Sequence, residues 1–223
     1  MKHNLWRQAL VLSLPVMMGY LPLGMAYAVL WVKADLPWAY GLLASVLLYA
    51  GAMQFLLVGL FAAGADLAQI ALVTLAVNVR HVFYGLSYPV AALLSYRWAR
   101  YYAMFSLTDE AYSLVAQQGE DADGALLLRI QLLCQSYWVL GSALGLGLGM
   151  LIPPSVIGFD FALSALFVVL AQAHFYHHNR RLAMLMGLVA MIFAFALFDD
   201  QMLSMAIVGF LVLLIWHPRA RYV

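Results

Sequence analysis

Two short stretches hold the side chains that could do chemistry. "VNVRHVFYGLS" (77–87) contains Asn78, Arg80, His81 and Tyr84, and "SLTDEAYSL" (106–114) contains Thr108, Asp109 and Glu110. Arginine offers a planar fork that fits a carboxylate, and histidine changes charge near neutral pH. An acid beside a histidine can carry protons, and it can also seat an ammonium. Each stretch also has a plainer reading. Arg80 could pair with a carboxylate and simply lock two helices. Thr108 followed by two acids is a helix-start pattern, in which the hydroxyl caps and the acids favour the positive end. Two isolated polar residues join these groups, Gln54 in "YAGAMQF" and Asp160 in "GFDFA". Gln54 reads as interhelical glue or a cavity lining. Asp160 reads as a helix start or an external gate.

The surroundings decide how unusual these residues are. Apolar residues make up 66% of the 223-residue chain and charged residues 9%, and the mean hydropathy is +0.93. A soluble domain could not cover its surface with so few charges. Several windows exceed the roughly 18 apolar residues that mark a transmembrane helix, and none shows the alternation of a β-barrel strand. The expected fold is therefore an all-α polytopic membrane protein, a single domain over 1–223, whose solvent is the lipid bilayer. A charge at the bilayer centre costs roughly 2.5–3.5 kcal/mol on insertion scales, so Arg80 must face a polar cavity or a counter-charge. The net charge of +1 implies no nucleic-acid partner. A single cysteine, Cys134, excludes an internal disulfide.

Seven hydrophobic segments are expected at about 8–30, 39–61, 66–95, 126–151, 157–176, 182–198 and 201–216. The first is too long and too interrupted for a signal peptide and reads as a retained helix, kinked or broken near Pro22-Leu23-Gly24. Such a break makes Pro22 and Gly24 candidate substrate contacts. Positive charge marks the cytoplasmic side. Lys2 and Arg7, Arg180 and Arg181, and Arg219 and Arg221 thus put both termini in the cytoplasm. With 39–61 as a span, the loop after it and the start of 126–151 lie inside, so residues 66–125 supply an even number of crossings, either two full crossings or a pair of re-entrant half-helices. Arg97 and Arg100 favour re-entrant half-helices there, centred on the polar motif, around 66–118. Asn78 would cap one half-helix, whose N–H groups together with Arg80 would attract a carboxylate. "LPLGM" (21–25) and "LGLGM" (146–150), followed by similar apolar strings, suggest repeats of about 8–95 and 126–216.

His174, His177 and His178 have spacing that could place two on one metal, but no acid or cysteine lies nearby. A helix end with neutral or positive residues is the simpler reading, and no metal or cofactor is expected. Gly141, Gly145 and Gly149 form a double GxxxG, a close-packing pattern. No G-x-S-x-G or G-x-x-x-x-G-K-[ST] occurs, so neither a serine hydrolase nor a P-loop ATPase is indicated.

The motifs "PVMMGYLPLGMAYAV", "YAGAMQFLLVGL", "NVRHVFYGLS", "LTDEAYSL" and "GFDFALSALF" resemble, in this order, those of the azaleucine-resistance (AzlC) family of branched-chain amino-acid exporters. The resemblance covers about 15 to 215, and N-x-R-H-x-x-Y-G and T-D-E are its most specific parts. It implies a non-enzymatic secondary transporter in the bacterial inner membrane. Valine, leucine, isoleucine and methionine would be exported with the help of a small AzlD-type membrane subunit of about four helices, with protons as the coupling ion. Asn78, Arg80, His81, Tyr84 and Gln54 would then bind substrate, and Thr108, Asp109, Glu110 and His81 would couple. A solute or ion channel and a non-transporting scaffold subunit are the alternatives. Phe159 before Asp160, where the family commonly has leucine, and the histidine cluster depart from the pattern.

Overall fold

The computed structural model describes residues 4–79, 81, 84, 88–93, 98–119, 123–153, 168, 181–198 and 202–216. Among them every regular element is helical. The chain divides into two compact units, 1–64 with 77–159, and 65–76 with 160–223.

The first unit is built on two long helices, α1 (Leu5–Lys33) and α7 (Gly124–Leu151), of 29 and 28 residues. Both are long and apolar enough to cross a membrane. They pack in parallel. The Arg129 guanidinium lies over Trp6, and Ser13 hydrogen-bonds Tyr137 at 3.1 Å. Further along, Gly145 meets Met25 and Gly149 meets Val32. The interface is made by small residues. A Cβ on Gly24 would come within 2.8 Å of the Trp138 carbonyl oxygen, and one on Gly145 would collide with the Met25 backbone. This is how helices associate where lipid removes the hydrophobic driving force. Contrary to the expected break, α1 stays one helix through Pro15 and Pro22.

Residues 39–61 do not cross once. They form α2 (Trp38–Leu47) and α3 (Gly51–Ala62), separated by a turn in which Tyr49 has φ +44°. At about 15 and 18 Å, each helix is half the roughly 30 Å hydrocarbon thickness. Gly41 at the start of α2 lies against the Trp31 ring, and Phe61 at the end of α3 meets the same ring edge-on at 5.9 Å. Tyr27 likewise touches both arms, donating a hydrogen bond to the Gly41 carbonyl and packing on Phe55. The segment is therefore a hairpin whose two ends both lie at the C-terminal end of α1.

A second hairpin enters from the opposite end. It consists of α5 (Ala99–Phe105) and α6 (Asp109–Ala116); α4 (Leu67–Asn78) precedes it. Ala99 and Ala125 line one cavity near the start of α7, whereas Tyr102 reaches Gln135 at 2.7 Å. The chain turns at Ser106–Thr108, and Val115 returns to a cluster with Leu127. Gly119, at φ +76°, ends the returning arm. Arg7, Arg100 and Arg129 share this end of the unit. Because α1 and α7 are parallel and the first hairpin does not cross, residues 65–123 must change sides an odd number of times. The even number expected from the sequence followed from reading 39–61 as one span.

In the second unit, α8 (Arg181–Leu197) and α9 (Met202–Trp216) pack through small residues, Gly187 facing Phe210 and Gly209 facing Ala190. These helices match the expected segments 182–198 and 201–216. Apart from residue 168, the segment 157–176 lies outside the described residues, and so do residues 80, 82–83, 85–87 and 94–95 of the segment 66–95. Within 66–95, Val90–Leu93 forms a 3-10 turn.

Candidate functional site

The tips of the two hairpins approach each other at mid-depth. Tyr20, midway along α1 and roughly 20 Å from either end, marks the level. Its hydroxyl donates to Glu110 Oε2 at 2.6 Å and lies 2.7 Å from Thr108 Oγ1. Since the one proton of Tyr20 goes to the carboxylate, Thr108 donates to Tyr20. Thr108 in turn accepts the Ala111 N–H at 3.3 Å, the N-cap bond that its position in T-D-E predicts. Capping and a place inside the fold thus coexist in the same residue. From the other hairpin, Tyr49 comes close to Thr108. Tyr49 is 3% exposed, and among the described residues its hydroxyl makes no hydrogen bond of ordinary length.

The two acids point to different neighbours. Adjacent helical residues are about 100° apart around the axis, so Glu110 and Asp109 cannot share a face. Asp109 Oδ1 accepts from the Tyr84 hydroxyl at 2.7 Å. The Tyr84 ring stacks on Tyr112 at 4.6 Å and meets His81 edge-on at 5.4 Å. His81 Nδ1 lies 3.0 Å from the Asn78 carbonyl, which can only accept, so Nδ1 carries the proton. The NxRHxxY and TDE motifs are thereby joined through Asn78, His81, Tyr84 and Asp109. Asn78 is the last residue of α4. The half-helix it was expected to cap is described only in part, and Arg80, Asp160, His174, His177 and His178 lie outside the described residues.

Gln54 sits in a different environment. It is fully buried; Oε1 accepts from Trp138 Nε1 at 2.9 Å, and Nε2 donates to Ser45 Oγ at 3.2 Å. Ser45 continues to Ser142 at 2.8 Å. The result is a closed network tying α2, α3 and α7. Gly24 packs under α7, and Pro22 is exposed on α1. Among the described residues no cluster of acids, histidines and cysteine has the makings of a metal site. The sequence reading overlooked Tyr20 and Tyr49. Nothing marks Tyr20 within its apolar run, whereas the Ala50-Gly51-Ala52 run after Tyr49 is a local signal for a turn.

Two hairpins entering from opposite ends and meeting between membrane-length helices define a polytopic helical membrane protein with a polar centre. Residues 15–152 match the family described as "AzlC protein", and the chain belongs to that family. It is 28% identical to the "Branched-chain amino acid transport protein AzlC" of Bacillus subtilis (strain 168), over 96% of this chain and 87% of that protein. It is 29% identical to the "Inner membrane protein YgaZ" of Escherichia coli (strain K12), over 73% and 70%. An "Uncharacterized membrane protein" of Archaeoglobus fulgidus is 32% identical over 86% of each chain. No solved structure matches the chain.

Proposed function

We propose that the protein is the large subunit of a secondary exporter that moves hydrophobic, branched-chain amino acids, valine above all, out across the bacterial inner membrane. The observation that carries this reading is the Glu110 carboxylate near the tips of two half-length hairpins, with Tyr84 hydrogen-bonded to Asp109 and His81 packed edge-on against Tyr84. Discontinuous helices at mid-depth are where transporters bind small zwitterions. The family and the printed name of the Bacillus relative support the substrate class.

In this reading Arg80 and Asn78 take the substrate carboxylate, and an acid of the T-D-E motif takes the ammonium. His81, through Tyr84 and Asp109, supplies the proton path that couples export to the gradient, and Asp160 gates the outer side. A small AzlD-type subunit completes the transporter, and both termini are cytoplasmic. The test is co-expression with the neighbouring small membrane protein, followed by intracellular valine, leucine, isoleucine and methionine after dipeptide feeding. Cells with the wild type should hold these pools low, and dissipating the proton gradient should raise them. Arg80→Ala should abolish efflux while still inserting. Arg80→Lys should largely fail too, because a point ammonium does not reproduce the planar fork. Wild-type efflux from well-inserted Arg80→Ala contradicts the assignment. Flux that does not saturate would indicate a channel.

A further inference from the structure

We propose that the cavity between α1, α5 and α7 binds one anionic phospholipid of the bilayer, with Arg129 holding the phosphate and the apolar walls holding an acyl chain. The inference stands apart from the transport reading. It concerns a cavity and a cation that the candidate site does not use.

The cavity has a volume of about 420 Å³, and its walls among the described residues include Trp6, Ala99, Tyr102, Leu128, Arg129 and Leu132. It opens to the surface beside Trp6 and Leu132, which are both exposed. In a bilayer that lateral surface meets lipid. Depth decides which part of a lipid it meets. α7 has 28 residues and is about 42 Å long, so about 6 Å at each end extends past the roughly 30 Å hydrocarbon core. Arg129 lies five residues beyond Gly124, about 8 Å from the start of α7, at the boundary of hydrocarbon and headgroups. Leu132 lies about 4.5 Å deeper. Trp6 in the first turn of α1, and Trp98 and Tyr101 at the start of α5, are exposed, and such amphipathic rings settle at headgroup level.

The cation is the second observation. Arg129 is half-buried, and among the described residues it pairs with no acid. Its Nη1 donates to the Ala125 carbonyl at 2.7 Å, its Cζ lies 5.3 Å from the centre of the Trp6 ring, and its Nε is buried without a hydrogen bond. The bond to Ala125, four residues earlier, turns the guanidinium toward the membrane surface and to the outer end of the cavity. A guanidinium has five N–H donors in a planar fork, which fits a phosphodiester and its negative charge. Asp123 sits further out as the N-cap of α7, with Oδ1 occupied by the Ala125 N–H. Arg7 and Arg100 add positive charge at the same end of the unit. A zwitterionic head would bring an ammonium toward these cations, so charge complementarity selects an anionic one.

The test uses the full-length protein in detergent micelles, with native mass spectrometry counting the bound molecules. The probes are phosphatidylglycerol, phosphatidylethanolamine with the same acyl chains, and glycerol 3-phosphate. The wild type should bind one phosphatidylglycerol about tenfold more tightly than phosphatidylethanolamine, the value of one hydrogen bond to a charged group. It should not retain glycerol 3-phosphate, which has no chain for the apolar walls. Arg129→Gln should make the two lipids equal. Ala99→Phe, which fills the cavity and leaves every charge in place, should weaken phosphatidylglycerol about tenfold. Lys33→Gln, at the other end of α1, should change nothing. Equal binding of the two lipids by the wild type overturns the proposal. So does an unchanged affinity for phosphatidylglycerol in either cavity variant, because the lipid then sits elsewhere. Ala99→Phe carries the decision if Arg129→Gln yields no folded protein. A loss in Lys33→Gln as large as in Arg129→Gln would mark a general charge effect and overturn the site. Tight binding of glycerol 3-phosphate would make it a site for soluble phosphate and overturn the lipid.

Discussion

The first unit contains two polar clusters within a few turns of each other, and they are built on opposite plans. Around Gln54, a side-chain amide, an indole N–H and two serine hydroxyls close on one another inside the fold. Around Glu110, the donors run in one direction and end on a carboxylate. The first cluster joins α2 and α3 to α7 and lies wholly inside the fold. The second lies near the hairpin tips and ends on Glu110, an exposed carboxylate. Polarity within a membrane protein therefore does not by itself mark a site. What distinguishes the two clusters is burial: Gln54 is fully enclosed, whereas Glu110 is exposed.

This contrast is sharpest when stability and transport are measured on the same variants. The largest effect belongs to the frame that carries both clusters. Gly145→Leu would drive a side chain into the Met25 backbone and Ala28. It should destabilise by about 3 kcal/mol or more, or leave no folded protein, as read by detergent-solubilised yield and thermal unfolding. Next is Gln54→Leu, which strands the Trp138 N–H and unlinks Ser45. It should cost about 1–2 kcal/mol of stability, with the half-saturating valine concentration of the surviving protein unchanged. The smallest stability change belongs to Tyr49→Phe. Removing a hydroxyl that makes no hydrogen bond of ordinary length should move stability by no more than about 0.5 kcal/mol. If Gln54→Leu weakened substrate affinity and left the fold unchanged, the enclosed cluster would belong to the site.

How much could be read in advance follows the same physics. Long apolar runs with small residues announced α1, α7, α8 and α9, because lipid demands a continuous hydrophobic surface. The T-D-E cap was legible because capping is local. Pro22 misled. It lies on the exposed side of α1, and the helix continues through it. The break came instead at Tyr49–Ala50, in a segment whose hydropathy is the same whether it crosses or returns. Hydropathy reports residence in lipid and not direction, so two arms of 10 and 12 residues looked like one span. Within the site, the two motifs were legible as a pair. Which acid faces which partner was not, since Asp109 and Glu110 differ only by their angle around α6. Tyr20 was invisible for a related reason, because tyrosine in an apolar run is common and only the fold brings its hydroxyl to Glu110.

The central claim is that residues 38–62 enter the membrane and return to the same side, opposite the hairpin that carries Glu110. Single cysteines at Asp35, Gly64 and Tyr101, in a Cys134→Ala background, test it directly with a membrane-impermeant thiol reagent on intact cells. Asp35 and Gly64 flank the first hairpin, and Tyr101 lies near the base of the second. The account predicts that cysteines at 35 and 64 both label from outside, and that the one at 101 labels only after the cells are opened. Labelling of 35 and 64 from opposite sides would make 38–62 a single crossing and would contradict the opposed hairpins on which the proposed site depends.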